Sequence, residues 1–221
     1  FLQNEWKNKR WSFLIGGRLD KHNMMDHVIF SPRANIRFNP TEDINIRASY
    51  SSGFRAPQAF DEDMHISAVG GEVAMIQRAK DLSEEKSQSL SASVDFYHRF
   101  KNGIQLNFLV DGFYISLSDV FVLEDIGKDE QGNLIKERRN GSGAKVMGLT
   151  LEGKSVLTSW LSLQAGATFQ RSRYKEAEKW SDDENVPAET RMFRTPDIYG
   201  YFTATLTPIK RFTASLSGTY T

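Results

Sequence analysis

The stretch that decides the fold is Ile104-Gln105-Leu106-Asn107-Phe108-Leu109-Val110-Asp111. Ile104, Leu106, Phe108 and Val110 fall on one side of an extended chain, and Gln105, Asn107 and Asp111 on the other, with Leu109 the exception. A helix would need apolar residues every three or four positions; a two-residue period is that of a strand with one greasy and one wet face. The same alternation recurs outward in both directions. Leu90, Ala92, Val94 and Phe96 alternate with Ser89, Ser91, Ser93 and Asp95, and Leu161, Leu163, Ala165, Ala167 and Phe169 with Ser162, Gln164, Gly166, Thr168 and Gln170. Phe13, Ile15 and Leu19 oppose Ser12, Arg18 and Asp20, while Ala34, Ile36 and Phe38 oppose Arg33, Asn35 and Arg37.

Ten strands follow: 1–7, 11–20, 31–39, 44–54, 86–99, 104–124, 143–156, 161–171, 197–207 and 212–221. A short helix over Gly70–Lys80 is the one helical expectation. The connections Asn8–Arg10, Pro40–Asp43, Phe100–Gly103, Leu157–Trp160 and Pro208–Arg211 are short. They alternate with longer ones at Lys21–Phe30, Arg55–Glu85, Asp125–Ser142 and Ser172–Pro196. In an up-and-down antiparallel sheet alternate turns share an end, so one rim is tight and the other carries the long loops. Outer-membrane barrels have that asymmetry, and a soluble sandwich has no reason to adopt it. Trp6, Trp11, Phe38, Phe100, Trp160 and Phe212 lie by the short turns, and Tyr50, Phe54, Tyr199, Tyr201 and Tyr220 toward the other rim, as two interfacial girdles would require. The expected class is therefore all-β: an antiparallel transmembrane β-barrel, here an arc of about ten strands, because neither end marks a natural closure.

Composition narrows function. Twenty-eight basic residues balance 28 acidic ones in a chain of 221, which disfavours a nucleic-acid partner. Cysteine is absent, which removes disulfides and thiolate metal sites. No run of about 18 apolar residues marks a membrane helix, a test that barrels evade because only alternate residues meet lipid. No G-x-S-x-G, H-E-x-x-H or phosphate-binding loop occurs, so no enzyme and no cofactor is expected.

Ser31-Pro32-Arg33-Ala34 and Arg47-Ala48-Ser49-Tyr50-Ser51-Ser52-Gly53-Phe54-Arg55-Ala56-Pro57 resemble barrel segments of the TonB-dependent outer-membrane receptors. So do Leu82-Ser83-Glu84-Glu85-Lys86-Ser87, Arg139-Asn140-Gly141, Gly148-Leu149-Thr150-Leu151-Glu152-Gly153 and Thr195-Pro196, in the family's order. Glu84 stands where the family pattern has proline, and Thr150 where it has its first acid. The resemblance implies a partial receptor barrel over 1–221, drawn from a 22-stranded barrel with a separate N-terminal plug. It implies outer-membrane placement, lipid around the wall, and uptake of a siderophore, haem, cobalamin or glycan energised by the TonB complex through an N-terminal region outside these residues. This stretch alone is then not expected to transport.

Candidate ligand contacts are Arg55, Met64, His65, Arg173 and Trp180. Arg55 either faces the plug or ligand or shapes the rim, where Gly53 allows a bend and Pro57 ends the ladder. Met64-His65 resembles the position of an axial haem ligand in haem receptors, although Arg78-Ala79-Lys80-Asp81-Leu82 keeps only the last residue of the accompanying box. The alternative is a solvated loop histidine. Asp61, Glu62 and Asp63 suit Ca²⁺ by chemistry but lack any binding-loop spacing. Arg171, Arg173, Tyr174, Trp180 and Arg191 mix cations and rings that can grip an anionic or ring-bearing ligand. Two other classes compete: a soluble β-sandwich or barrel that binds ligands or partners, and an outer-membrane enzyme.

Overall fold

The computed structural model describes residues 1–57, 74–130, 132–178, 185–192 and 195–221. Strands β1 (Leu2–Lys7), β2 (Trp11–Lys21), β3 (Val28–Phe38) and β4 (Ile44–Arg55) open an antiparallel meander. It continues through β6 (Glu85–Arg99), β7 (Gln105–Ser118), β10 (Ala144–Thr158), β11 (Leu161–Glu178), β13 (Ile198–Ile209) and β14 (Phe212–Tyr220). Each pairs with the next, so ten strands form one open sheet in sequence order, with β12 (Glu189–Arg191) appended to β11. The two outermost strands do not pair with each other, so the sheet is an arc and not a closed barrel. Ten ladder strands is the number read from the alternation.

Register carries the alternation across the whole sheet. Ile36 stands opposite Ala48, Ala48 opposite Ala92, and Ala92 opposite Gly112. Gly112 faces Leu149, Leu149 faces Phe169, and Phe169 faces Ile198. One face is therefore apolar from end to end, and the intervening positions form a polar face. Burial is inverted relative to a water-soluble protein. Phe108 is 47% exposed, Leu163 41% and Leu106 36%, whereas Ser93 is 9%, Asp95 6% and Thr168 6% exposed. A core packed in the usual way hides its apolar residues. This sheet hides its polar ones and turns its apolar ones outward, which is what a lipid-solvated wall requires.

Three features differ from the sequence reading. The long sixth strand is broken: β7 ends at Ser118, Asp119 adopts φ 56°, and β8 (Phe121–Lys128) sets off as a separate strand. Aspartate tolerates the left-handed region better than bulky residues do, so a corner forms there. The loop after it holds a second strand, β9 (Leu134–Asn140), paired antiparallel with β8. Of the expected helix, Gly70–Val73 lie outside the described residues, and Ala74–Arg78 is strand β5, paired parallel with β9. The open ladder edge of β9 offers hydrogen bonds that outweigh a short segment's weak preference for helix. Together β5, β9 and β8 form a three-stranded sheet at the long-loop rim.

The aromatic girdles hold in part. At the tight rim Trp11 stacks on Phe38 with ring centres 4.1 Å apart. At the other rim Tyr50 and Tyr220 share the apolar parity, but Tyr199 and Tyr201 face the polar side, opposite Thr168 and Gly166.

Candidate functional site

The elements that can meet a ligand are the long-loop rim and the polar face beneath it. The FRAP-like box anchors the rim. Ala56 and Pro57 are buried; Ala56 clusters with Met25 from the β2–β3 connection and with Ile29 near the start of β3, and Phe54 packs against that cluster. Arg55, the last residue of β4, lies on the polar face directly opposite Glu85. Its Nε donates to Glu85 Oε2 at 2.7 Å and its second amino group to Oε1 at 3.0 Å. The guanidinium also sits 5.0 Å from the centre of the Phe121 ring, at the start of β8. Phe121 N donates to the same Glu85 carboxylate. Arg55 thus ties β4, β6 and the rim sheet together. The bidentate fork makes that tie geometrically specific.

Three further residues complete the rim. Asn140 Oδ1 accepts from Ser83 N at 2.8 Å, while its Nδ2 donates to Ser83 O at 3.1 Å and to Asp119 O at 2.7 Å. One side chain therefore staples the entry to β6 onto the corner between β7 and β8. Beside it Gly143, at φ +97°, runs so close to β7 that a Cβ would lie 2.2 Å from Leu117 O. Only glycine fits. Glu84 is 1% exposed, and its Oε1 meets His27 Nε2 at 3.0 Å and Lys86 Nζ at 3.2 Å. Burial pushes its pKa up. A backbone hydrogen bond, His27 and Lys86 push it down and prevail, so the carboxyl is held below its ordinary range.

The polar face is cross-linked below the rim. Arg47 meets Asp95 at 2.6 Å, Asp95 accepts from Asn107 Nδ2 at 3.2 Å, and Ser49 and Ser91 hydroxyls bond at 2.7 Å. Arg47, Ser49 and Ser91 line, with Arg37, Asn35 and Asp111, an open cavity of about 500 Å³. Tyr201 Oη donates to Glu152 Oε1 at 3.1 Å and accepts from Gln164 at 3.0 Å. Such a surface offers donors and acceptors to a polar occupant. Among the described residues no group of three or more His, Asp and Glu could hold a metal ion.

Of the sequence candidates, Arg55 stands as described, while Met64, His65 and Trp180 lie outside the described residues, as do Asp61, Glu62 and Asp63. Arg173 has the parity of Phe169 and Met147, on the apolar face, and sits 3.7 Å from Asp197. The structure therefore does not bring it together with Arg55.

The TonB dependent receptor-like, beta-barrel family model matches residues 1–221. The chain belongs to that family. The siderophore receptor PirA from Pseudomonas aeruginosa superposes with TM-score 0.67 at 18% identity, over 99% of this chain and 39% of that one. The ferric enterobactin receptor PfeA from the same organism gives 0.69 at 14%, over 96% and 30%. The alcaligin outer-membrane receptor FauA from Bordetella pertussis gives 0.54 at 15%, over 98% and 41%. At these identities the likeness is one of fold. The chain spans about two fifths or less of the length of these structures. No curated protein matches the sequence. TonB-dependent receptor barrels are outer-membrane receptors and transporters of Gram-negative bacteria, not an enzyme class. Within this family's barrel the departure at Glu84 has a structural use. A proline there would forfeit the carboxylate that His27 and Lys86 share. Sequence reading noted Glu84 only as a departure from the family pattern and Asn140 only as a motif letter. The signal that could have found Asn140 is its distance from any strand's alternation, at a strand end beside Gly141 and Gly143.

Proposed function

We propose that this chain forms part of the wall and outer rim of an outer-membrane receptor that takes up ferric siderophores, within a larger barrel of about 22 strands with a plug. The carrying observation is the inverted burial of a sheet whose long loops all leave from one end. A polar, hydrogen-bonded lumen face and a lipid-solvated outer face are what a wall around a solute path needs. Two of the superposed structures are a siderophore receptor and a ferric enterobactin receptor, which favours iron chelates over cobalamin or glycans. The loops carrying Met64, His65 and Trp180, with the Arg55 cluster at their base, supply the ligand contacts. Uptake is driven by the TonB complex through a region outside these residues.

Calorimetry on the full-length parent protein tests this against ferric catecholate and hydroxamate siderophores, haem and cobalamin. Saturable binding of a ferric siderophore is expected. Binding of haem alone, weakened by His65→Ala, would replace siderophore by haem. Binding of none would remove the receptor reading.

A further inference from the structure

The short-turn end of the sheet is basic, which a lipid-solvated wall does not require. Lys7, Lys9 and Arg10 lie in or beside the β1–β2 turn, Arg99 and Lys101 at the β6–β7 turn, and Lys210 and Arg211 in the β13–β14 turn. Against them stand Glu42 and Asp43 of the β3–β4 turn, so this rim is net positive in a chain whose charges balance overall. Just inside it the polar face holds an open cavity of about 480 Å³, lined by Tyr97, Arg99, Gln105, Asn107 and Lys154, and also by Asp43 and His98. Tyr97, Asn107 and Lys154 share one rung, and Arg99 and Gln105 share the next. Among the described residues the side chains of Tyr97, Arg99, Gln105 and Lys154 have no hydrogen-bond or ion-pair partner. The carboxylates nearby are engaged elsewhere. Asp43 lies 2.9 Å from His98, Asp95 lies 2.6 Å from Arg47, and Glu152 accepts from the Tyr201 hydroxyl at 3.1 Å. With those three carboxylates counted against Arg47, Arg99, Lys101 and Lys154, the mouth stays positive, and the turn cations on either side add to its field.

We propose that this mouth of the lumen is an anion-binding station, at which Arg99, Lys154, Gln105 and the Tyr97 hydroxyl donate to the oxygens of a multiply charged ferric chelate leaving the wall. It rests on the uptake reading and adds to it the sign of the solute's charge. Iron(III) held by catecholate dianions is an anion, whereas held by hydroxamate monoanions it is neutral. At spacings of about 4.8 Å between strands and about 3.4 Å along them, the Arg99 and Lys154 backbones stand roughly 12 Å apart. Two long side chains at that separation embrace a polyanion several ångströms across better than a single small ion. Their hydrogen bonds to charged oxygens are about twice as strong as those between neutral partners. The cavity opens on the polar face, away from lipid, so a phospholipid headgroup does not occupy it.

The test uses the full-length parent protein in a zwitterionic detergent, where both mouths of the barrel meet solvent, with equilibrium dialysis as the readout. The probes are a trianionic ferric tris-catecholate and a neutral ferric trihydroxamate. A class of catecholate binding is expected that weakens as salt rises and that Arg99→Gln/Lys154→Gln weakens about tenfold or more. Arg99→Lys should keep part of that affinity, and Lys145→Gln, on the lipid face, all of it. A tighter class at the outer loops should be unchanged in every variant. Full catecholate binding by the double glutamine variant, or equal filling of the affected class by the trihydroxamate, would overturn the proposal. The two failures are separable. A parent that binds neither chelate overturns the uptake reading and the station together, whereas one that binds a chelate with no class sensitive to Arg99 and Lys154 overturns the station alone.

Discussion

Arginine placed on the two faces of one sheet position measures which face meets lipid. Ala165 on β11 stands opposite Phe202 on β13, and Thr203, the next residue along β13, points to the polar face at nearly the same height. Ala165 lies four residues above Leu161, where β11 leaves its short turn. At a strand rise of about 3.4 Å and a tilt near 40°, that is roughly 10 Å into an apolar band about 25 Å tall. The site is close to the midplane. It also borders an apolar groove of about 450 Å³ formed with Phe108, Gly153, Leu163 and Ala204, so a long side chain meets no steric barrier there. The penalty for Ala165→Arg is therefore desolvation, about 2–4 kcal/mol at this depth. That shifts the unfolding equilibrium by roughly one to three powers of ten. Thr203→Arg keeps its charge in the lumen and should cost less than about 1 kcal/mol. Denaturant titration of the full-length protein in phosphatidylcholine vesicles, followed by tryptophan fluorescence, reads the difference. Equal costs, or a larger cost for Thr203→Arg, would refute the assignment of the apolar face to lipid.

Asn140→Ala should free the rim without melting the wall. It removes four hydrogen bonds to Ser83 and Asp119, a loss of about 2–4 kcal/mol. Hydrogen exchange over residues 79–84 and 119–122 should accelerate by roughly 30-fold or more while β10 and β11 stay protected. Gly143→Ala should be worse, because the added Cβ meets Leu117 O at 2.2 Å in a backbone that alanine avoids. The expected sign is a lowered unfolding midpoint for the whole barrel, since β7 and β10 must part. Glu84 makes the rim acid-sensitive. Its folded pKa is depressed, so its stabilisation is complete above the ordinary carboxyl value of the unfolded chain and is lost as pH falls through the lower folded value. Rim exchange should rise in that acid window, and Glu84→Gln should abolish the pH dependence.

The wall was legible in the sequence because a two-residue period has one physical meaning. The rung from Ile36 to Ile198 obeys it, and a one-residue slip would have turned Phe108 and Leu163 into the lumen. The rim was not legible for the opposite reason. Its sheet joins β5 to β9 in parallel across about sixty residues of sequence, Ala74 pairing with Leu134. No local pattern announces such a pairing, and the corner at Asp119 has apolar residues on both sides, Leu117 before it and Val120 and Phe121 after it. Arg55 was found by its motif but its partner Glu85 was not, since the contact exists only once β4 and β6 lie side by side. Arg173 was grouped with loop aromatics by proximity in sequence. Counting parity from Phe169 would have placed it on the lipid side.

The two layers of this structure are held together by different physics, and that difference suits a receptor. The wall is made of long ladders whose apolar side chains need no protein partner, so its stability is spread evenly and depends on lipid. Among the described residues the rim has little apolar interior: Met25, Ile29 and Ala56 form a small buried cluster. It is held instead by discrete polar ties, namely Arg55 to Glu85, Asn140 to Ser83 and Asp119, and Glu84 to His27 and Lys86. Each tie is worth a few kcal/mol at most, and each can open without disturbing a ladder. Loops anchored in this way can rearrange around a ligand while the β-strands beneath them keep their register.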